Sequence, residues 1–356
     1  MHDLGLVFLD LSLVIDIHCH RECGPAAAMA RAEADRLGKK PLQIGNELTR
    51  EVNRRQLQSL RPRMESIEVR LADMDAMGID VQALSVSPYH LFYWADGDLG
   101  VDAFRAINDD LATIVRANPH RFVGLGAIPL QSTAAAVAEL RRCATELGFA
   151  GIEIGTHVEG EELSSPRLEP FWDACEELEL VVFIHPTGFT QPDRFTDHYF
   201  FNTIGHPLEE TICAGRLIFD GVMERHPGLK IVLAHGGGFL PAYSGRFDHA
   251  YHAREDVRAD LPRPPSHYLS RFFFDTMVFD PEQLGYLIGR YGADHVLLGT
   301  DYPYDMGETD PLGLIGKVAG LTSADVDLIA GGNAASLLGL DREGLQTPDD
   351  GKVETT

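Results

Sequence analysis

The stretch VIDIHCH, residues 14–20, is an apolar run that ends in two histidines, and it sets the pattern of the chain. Seven further short apolar runs follow, and each breaks into polar or glycine-rich sequence at its end: VQALSVSP (81–88), FVGLGAIPL (122–130), GIEIGTH (151–157), LVVFIHPTG (180–188), IVLAHGGG (231–238), RFFFDTM (271–277) and VLLGTDYPY (296–304). Runs that are apolar throughout, rather than alternating, are typical of parallel strands buried on both faces. Each interval between runs is long enough for a helix, so strands and helices are predicted to alternate.

Eight such strands predict an α/β fold of the (β/α)8 type, a TIM barrel, with an insertion after the first strand that ends at a helix over residues 67–77. Residues 1–340 are predicted to form a single unit, because no linker rich in Ser, Gly or Pro divides them. The polar residues 341–356 are predicted to form a disordered tail. In this fold the active site lies at the carboxyl ends of the strands, so the polar residues that end the runs are expected to converge.

The composition excludes several classes of partner. A formal net charge of -24 argues against nucleic acid and against an anionic membrane surface, since both repel an acidic protein. No apolar run approaches the roughly 18 residues of a membrane-spanning helix. The five cysteines are scattered and the first residues do not resemble a signal peptide, which predicts a cytoplasmic protein with reduced thiols.

Four residues at the ends of predicted strands form a candidate metal site: His18, His20, His185 and Asp301. His18 and His20 are two apart, so on a strand both imidazoles point the same way. Three neutral imidazoles and one carboxylate suit one divalent ion, Zn²⁺ first and then Mn²⁺, Fe²⁺ or Co²⁺. The alternatives are that the histidines are ordinary core residues and that Asp301 caps the turn that follows it.

His235 is predicted to be catalytic without binding the metal. It ends the sixth strand and is followed by three glycines, which allow the backbone to approach a bound molecule closely. An imidazole beside a metal-bound water can take up and return a proton near neutral pH. The alternatives are a fourth histidine ligand and a group that orients one of the ligands.

Positive side chains on an acidic protein are candidates for binding an anionic substrate. Arginines are dense in the predicted insertion, at Arg50, Arg54, Arg55, Arg61 and Arg63, and a second group follows the sixth strand, at Arg246, Arg254 and Arg258. A guanidinium can hold a substrate carboxylate through two hydrogen bonds. The alternative is that these arginines pair with nearby acids on exposed helices. Tyr89, Trp94 and His157 are expected to form part of the pocket wall, although such aromatic side chains also pack barrel rims.

The motifs VIDIHCH, FIHPTG, LAHGGG, RFFFDTMVFDPEQL, GTDYPY and GNAASLLGL together resemble the amidohydrolase superfamily, specifically its amidohydrolase-2 branch, over residues 15–340. Within this branch they are most similar to the muconate-semialdehyde decarboxylases. The resemblance implies that His18, His20, His185 and Asp301 bind one metal ion, usually zinc, and that His235 activates its water. It also implies a substrate-binding arginine from a neighbouring chain, here Arg246, and hence a homodimer. A second substrate-binding arginine is implied in the first insertion, where Arg61 is the best match and Arg54 and Arg55 are the alternatives.

The resemblance leaves the reaction open among several chemistries of the branch. The preferred function is non-oxidative decarboxylation of a small unsaturated or aromatic carboxylic acid, of the muconate-semialdehyde or hydroxybenzoate type, by a metal-bound water and an acid/base pair that includes His235 and Asp301. The alternative is a hydrolase or hydratase that acts on a lactone, an amide or an unsaturated dicarboxylate. Metal or acid binding without turnover is the third candidate. The metal site alone cannot choose among these functions.

Overall fold

The computed structural model describes residues 11, 13–39, 45–95, 97–188 and 194–340. Eight parallel strands form one sheet in which every strand pairs with its neighbour in the chain: β1 (Ile15–Arg21), β2 (Val81–Val86), β3 (Phe122–Ala127), β4 (Gly151–Ile154), β5 (Val181–Ile184), β6 (Lys230–Leu233), β7 (Phe273–Asp275) and β8 (Val296–Leu297). The Ile17 amide donates to the Leu298 carbonyl at 2.9 Å, and the His20 amide donates to the Tyr302 carbonyl at 2.7 Å. These bonds join β1 to the segment that continues β8. The predicted (β/α)8 fold and all eight of its strands are confirmed.

Helices connect the strands and surround them. Their bounds are α1 (Gly24–Leu37), α2 (Glu47–Glu65), α3 (Ile67–Met77), α4 (Gly97–Ala117), α5 (Thr133–Thr145), α6 (Glu169–Glu177), α7 (His206–Phe219), α8 (Val222–Arg225), α9 (Leu240–Ala253), α10 (Glu255–Arg258), α11 (Pro265–Leu269), α12 (Pro281–Tyr291), α13 (Pro311–Gly316), α14 (Ser323–Asp327) and α15 (Asn333–Leu338). A short antiparallel hairpin, His157–Val158 with Glu161–Glu162, follows β4. Within the described residues, no helix is both long and apolar enough to cross a membrane.

Three helices, α1 to α3, lie between β1 and β2, and α3 has the predicted bounds Ile67–Met77. The Ser66 side chain accepts a hydrogen bond from the amide of Val69 and so caps the start of α3. It stays a prediction that this segment is an insertion. The same holds for the single domain over residues 1–340. The predicted tail, residues 341–356, lies outside the described residues.

The strands are buried on both faces, as their apolar runs require. Their inward side chains fill the barrel, and α15 covers this inner cluster with Ala334, Ala335 and Leu338. The outward side chains pack against the surrounding helices in a second, larger cluster. Phe183 of the inner cluster contacts the imidazole of His18 edge to face, with ring centres 5.0 Å apart. The packed barrel interior therefore forms a rigid floor beneath the carboxyl ends of the strands.

Gly331 marks a tight contact between the segment before α15 and the chain that enters β1. A Cβ atom at Gly331 would meet the carbonyl oxygen of Leu13, which is backbone and cannot move aside. We expect Gly331→Ala to lower the free energy of unfolding by about 1–3 kcal/mol through overpacking. Gly289→Ala is the matched control, because Gly289 lies on an exposed turn of α12 with open space around it. Denaturant unfolding of both variants tests this, and equal midpoints would contradict it.

Candidate metal centre

The carboxyl ends of β1, β5 and β8 bring four side chains to one point. His18 and His20 lie on β1 and point the same way because they are two residues apart. His185 directly follows β5, and Asp301 follows β8 by four residues. One ligand atom from each of the four lies within 4.8 Å of the others, and all four residues are buried.

The distances within this group are those of atoms that share one cation. The Nε2 atoms of His18 and His20 are 3.1 Å apart, and the Asp301 Oδ1 atom is 3.4 Å from each of them. Metal–ligand bonds of about 2.0–2.1 Å at angles of 90–110° place neighbouring ligand atoms roughly 2.9–3.4 Å apart. The His185 Nε2 and Asp301 Oδ1 atoms are buried and have no hydrogen-bond partner. Buried acceptors without partners are costly, so this group fits a bound divalent ion.

The other nitrogen of each imidazole is held by an acceptor. The Nδ1 atom of His18 donates to Asp275 at 2.6 Å, that of His20 lies 3.3 Å from the Val86 carbonyl, and that of His185 donates to the Pro186 carbonyl at 2.8 Å. A proton on Nδ1 leaves a lone pair on Nε2, which is the form that binds a metal. These contacts at Nδ1 fix all three imidazoles in the tautomer that binds a metal through Nε2.

A buried polar network holds β1 against the loop that carries Asp301. The Asp16 carboxylate accepts bonds from the Thr300 amide at 3.0 Å and from the Thr300 hydroxyl at 2.6 Å. The oxygen that accepts from the Thr300 hydroxyl also accepts from the Gln82 side-chain amide at 2.9 Å. The Arg70 guanidinium, also buried, donates to Gln82 at 2.9 Å and to the carbonyl of His20. Because every member has a partner, the network fixes His20 and Asp301 relative to each other.

His235 forms a pair with Glu210 beside the four residues. Its Nδ1 atom donates to the Glu210 carboxylate at 2.7 Å, and its Nε2 atom lies 3.7 Å from Asp301 Oδ2. Burial opposes the charged imidazolium, but Glu210 and Asp301 outweigh it and raise the pKa of His235 well above its ordinary value. The imidazole is therefore poised to hold a proton on Nε2, next to the candidate metal site.

Two of the candidate site residues adopt a backbone conformation that residues other than glycine rarely take. The φ angle is 48° at His235 and 54° at Asp301, both in the left-handed region. Such conformations cost of order 1–3 kcal/mol each and persist where the surroundings impose them. They turn both side chains from the ends of their strands toward the axis of the barrel.

A cleft of about 390 Å³, its open mouth included, lies directly above this group. It is lined by two of the four residues, His185 and Asp301, and by aromatic, polar and proline side chains: Pro88, Tyr89, Pro186, Tyr199, Asn202, His206, Tyr304, Asp305 and Met306. Burial, followed by the nearby His235, lowers the pKa of His206 to about 3, so this imidazole is neutral.

Not all of the residues predicted to bind substrate line the cleft. Tyr89 lines the cleft and is 53% exposed. Arg61 lies on an exposed face of α2 and pairs with Glu65 at 2.8 Å, while Arg246 is exposed on α9 with no ion pair among the described residues. Neither arginine is among the described residues that line the cleft. Their roles in binding substrate stay predictions.

Trp94 and His157 also lie outside that lining. Trp94 is half-buried and lies under the ammonium group of Lys39, 5.0 Å from the centre of its ring. His157 begins the hairpin after β4, where its Nδ1 atom accepts a bond from the Gly160 amide at 3.1 Å. Gln56 of α2 donates at 2.6 Å to Asp305, which lines the cleft.

Several functional residues were not identified from sequence. Asp275 ends the seventh apolar run, so the rule that found Asp301 also applies to it. Glu210 and His206 lie on α7 and carry no signal of their own, because only the folded chain brings that helix beside β6. Tyr304 follows Asp301 by three residues, and its hydroxyl is 2.6 Å from the Ser87 hydroxyl.

Comparisons with known proteins agree with this geometry. The 2-amino-3-carboxymuconate-6-semialdehyde decarboxylase of Dictyostelium discoideum is 39% identical over 275 residues, which are 77% of each chain. The crystal structure of 5-carboxyvanillate decarboxylase from Sphingomonas paucimobilis superposes with a TM-score of 0.79 at 28% identity, covering 92% of this chain and 99% of that one.

A third relative was solved with metal and inhibitor. Dihydroxybenzoic acid decarboxylase from Polaromonas sp. JS666, with bound manganese and 2-nitroresorcinol, has a TM-score of 0.78 at 26% identity and covers 94% of this chain and 99% of that one. The profile of the amidohydrolase family matches residues 15–340. This is the range over which the motifs resemble that family. The chain therefore belongs to the amidohydrolase family.

Proposed function

We propose that the protein is a metal-dependent, non-oxidative decarboxylase of a small unsaturated or aromatic carboxylic acid. The observation that carries this proposal is the convergence of four buried ligand atoms next to a histidine–glutamate pair and beneath a cleft. The decarboxylases among its relatives support the reaction type. Substrates of the muconate-semialdehyde and hydroxybenzoate types are both compatible with the cleft.

His18, His20, His185 and Asp301 would hold one divalent ion. Such an ion supplies Lewis acidity, which polarises a substrate oxygen or lowers the pKa of water. We propose zinc, because three imidazoles and one carboxylate suit it, with manganese as the first alternative because the Polaromonas relative holds that ion. Elemental analysis of the purified protein decides between them.

The chain's own contribution to the reaction is the placement of a proton. When a carboxylate leaves as CO₂, the carbon–carbon bonding pair stays on the substrate carbon, which must then gain one proton. The Nε2 atom of His235 lies 3.7 Å from Asp301 Oδ2, and the carboxylates of Glu210 and Asp301 favour the protonated imidazole. His235 would deliver this proton as a general acid, while Glu210 holds the ring through Nδ1.

The test combines metal analysis with a substrate panel. Protein loaded with zinc or manganese is offered a muconate semialdehyde, several hydroxybenzoates and several lactones, and both CO₂ release and the ultraviolet spectrum are followed. We expect CO₂ from at least one carboxylic acid and none from protein stripped of metal. Hydrolysis of a lactone without CO₂ release from any acid would favour the hydrolase alternative over the decarboxylase.

We also propose that the protein acts as a homodimer in which Arg246 reaches the cleft of the partner subunit to bind the substrate carboxylate. Arg246 is exposed on α9 and has no ion pair in its own chain, among the described residues. We expect Arg246→Ala to raise KM by roughly 10- to 100-fold, since a hydrogen bond to a charged group contributes about 1.5–3 kcal/mol. Arg246→Lys should restore only part of the lost affinity, because an ammonium cannot form the two parallel hydrogen bonds that a planar guanidinium forms with a carboxylate.

Mixing two impaired variants at low substrate concentration tests whether Arg246 acts between subunits. In a dimer of one Arg246→Ala chain and one His235→Ala chain, one site has both an intact His235 and an intact partner arginine. If the chains exchange freely, half of the dimers are mixed, so about a quarter of the wild-type activity is expected at low substrate concentration. Activity no higher than that of the separate variants would contradict a role across the interface.

A further inference from the structure

One ring nitrogen of His206 has no hydrogen-bond partner in the described structure. The side chain lines the cleft and only 8% of the residue is exposed. Its Nε2 atom is buried and has no hydrogen-bond partner. A buried polar atom without a partner costs about 1–3 kcal/mol in a folded protein. A nitrogen in this state at the wall of a cleft points to a ligand that satisfies it.

The contacts of His206 determine what kind of partner it needs. The side-chain amide nitrogen of Asn202 donates to His206 Nδ1 at 3.4 Å. We take the amide nitrogen of Asn202, rather than its oxygen, to face Nδ1, so that Nδ1 is the acceptor and the proton of the neutral imidazole is on Nε2. The ring of Phe201 contacts the imidazole edge to face, with centres 5.2 Å apart, and so helps to hold its orientation. His206 therefore presents an N–H donor that lacks an acceptor.

The position of this donor relates it to the reaction. The centre of the His206 ring lies 6.1 Å from that of His235 and 6.3 Å from that of His185. A small ring bound beside His235 thus has part of its edge within reach of His206. No lysine or arginine is among the described residues that line the cleft. Burial keeps the His206 imidazole neutral, so it is a neutral hydrogen-bond donor. A neutral donor suits a hydroxyl or carbonyl oxygen.

We propose that His206 is a specificity-determining residue whose Nε2–H donates to an oxygen substituent of the substrate other than the leaving carboxylate, with Asn202 as the positioning residue that sets its tautomer. The substrate class is then a small acid that carries a ring hydroxyl or a carbonyl oxygen, and an otherwise similar acid without this oxygen is disfavoured. This inference rests on the proposed function, because it assigns part of the substrate of the same site.

Binding of a matched series of ligands tests the donor without turnover. The probes are 2-nitroresorcinol, 2-nitrophenol and nitrobenzene, which carry two, one and no hydroxyl groups, and calorimetry measures their affinity for metal-loaded protein. The variants are His206→Phe, which keeps a ring without a donor, and His206→Gln, which keeps an N–H donor. We expect the wild-type protein to prefer 2-nitroresorcinol, and His206→Phe to weaken its binding by about 10-fold while nitrobenzene is unaffected.

The outcomes separate this inference from the proposed function. Recovery of at least part of the affinity in His206→Gln supports the donor, and an equal loss for all three probes in His206→Phe overturns it. Absence of any hydroxyl preference in the wild-type protein also overturns it. Because binding is measured without reaction, a hydroxyl preference that depends on His206 would stand even if no acid released CO₂, in which case only the proposed function fails.

The tautomer provides an independent readout. In protein labelled with ¹⁵N at histidine, with His206 assigned by its absence from the spectrum of His206→Phe, Nδ1 should resonate as an unprotonated nitrogen and Nε2 as a protonated one. Asn202→Asp should place a proton on Nδ1, since a carboxylate accepts, and should weaken the preference for 2-nitroresorcinol. A protonated Nδ1 in the wild-type protein would contradict the assignment.

Discussion

Replacing His235 by alanine is expected to lower kcat by about 10²- to 10⁴-fold while the metal content stays unchanged. The reason is geometric. His235 Nε2 lies 3.7 Å from Asp301 Oδ2 and its Nδ1 atom is bound to Glu210, so we expect the imidazole to lie beside the metal ligands rather than to be one of them. Elemental analysis and steady-state kinetics of the same preparation measure both quantities.

Two further variants help to interpret the effect of His235→Ala on kcat. Glu210→Gln keeps the shape of the side chain but removes the charge that favours a protonated His235, so we expect a smaller loss of kcat with the metal retained. His249→Ala removes an exposed histidine of α9 and should leave kcat unchanged. Loss of metal from His235→Ala would instead make this histidine a ligand, which was the alternative left open by the sequence.

The fold could be predicted from sequence because its signal is local and repeated. Each apolar run marked one strand, and the helix Ile67–Met77 was found at its own bounds. Apart from β1, the strands are shorter than the runs: β8 covers two residues, Val296–Leu297, of a run that continues to residue 304. The residues beyond each strand remain buried because they turn inward over the barrel mouth, so apolar character extends past the hydrogen-bonded part.

The four candidate metal ligands could be predicted for the same reason, since the ends of parallel strands meet at one edge. Asp275 obeys this rule as well, but it points behind His18 and holds its Nδ1 atom. Spacing along a strand does not distinguish a ligand from a residue that orients one. Glu210 and His206 could not be found, because their positions depend on how α7 packs beside β6, which no local pattern encodes.

The lining of the cleft was the least predictable part. Arginines near the mouth were expected from their density in sequence, yet Arg61 pairs with Glu65 one turn further along α2. On a helix, residues four apart are neighbours, and an acid at that spacing is a nearby partner for an exposed arginine. The residue of α2 that does reach a lining side chain is Gln56, through Asp305.

Asp301→Ala is expected to abolish metal binding and activity together. In the folded chain the Asp301 Oδ1 atom is 3.4 Å from the Nε2 atoms of both His18 and His20, and it is buried without a hydrogen-bond partner. Losing it removes the carboxylate from the ligand set and leaves three imidazoles facing a divalent ion in a buried site, where uncompensated charge is costly. Even residues that only orient a ligand contribute about 10- to 100-fold to metal affinity, so a direct ligand should contribute more.

Two substitutions that keep the size of the side chain separate this loss from damage to the fold. Asp301→Asn should also lose most of the metal, because the amide keeps the shape but not the charge. Asp305→Asn lies on the same loop and lines the same cleft, but it bonds Gln56 rather than the imidazoles, so it should keep about one ion per chain. Metal content by elemental analysis, read beside the melting temperature of each protein, distinguishes the cases. Full metal occupancy in a folded Asp301→Ala protein would remove Asp301 from the ligand set and leave the three histidines as the site.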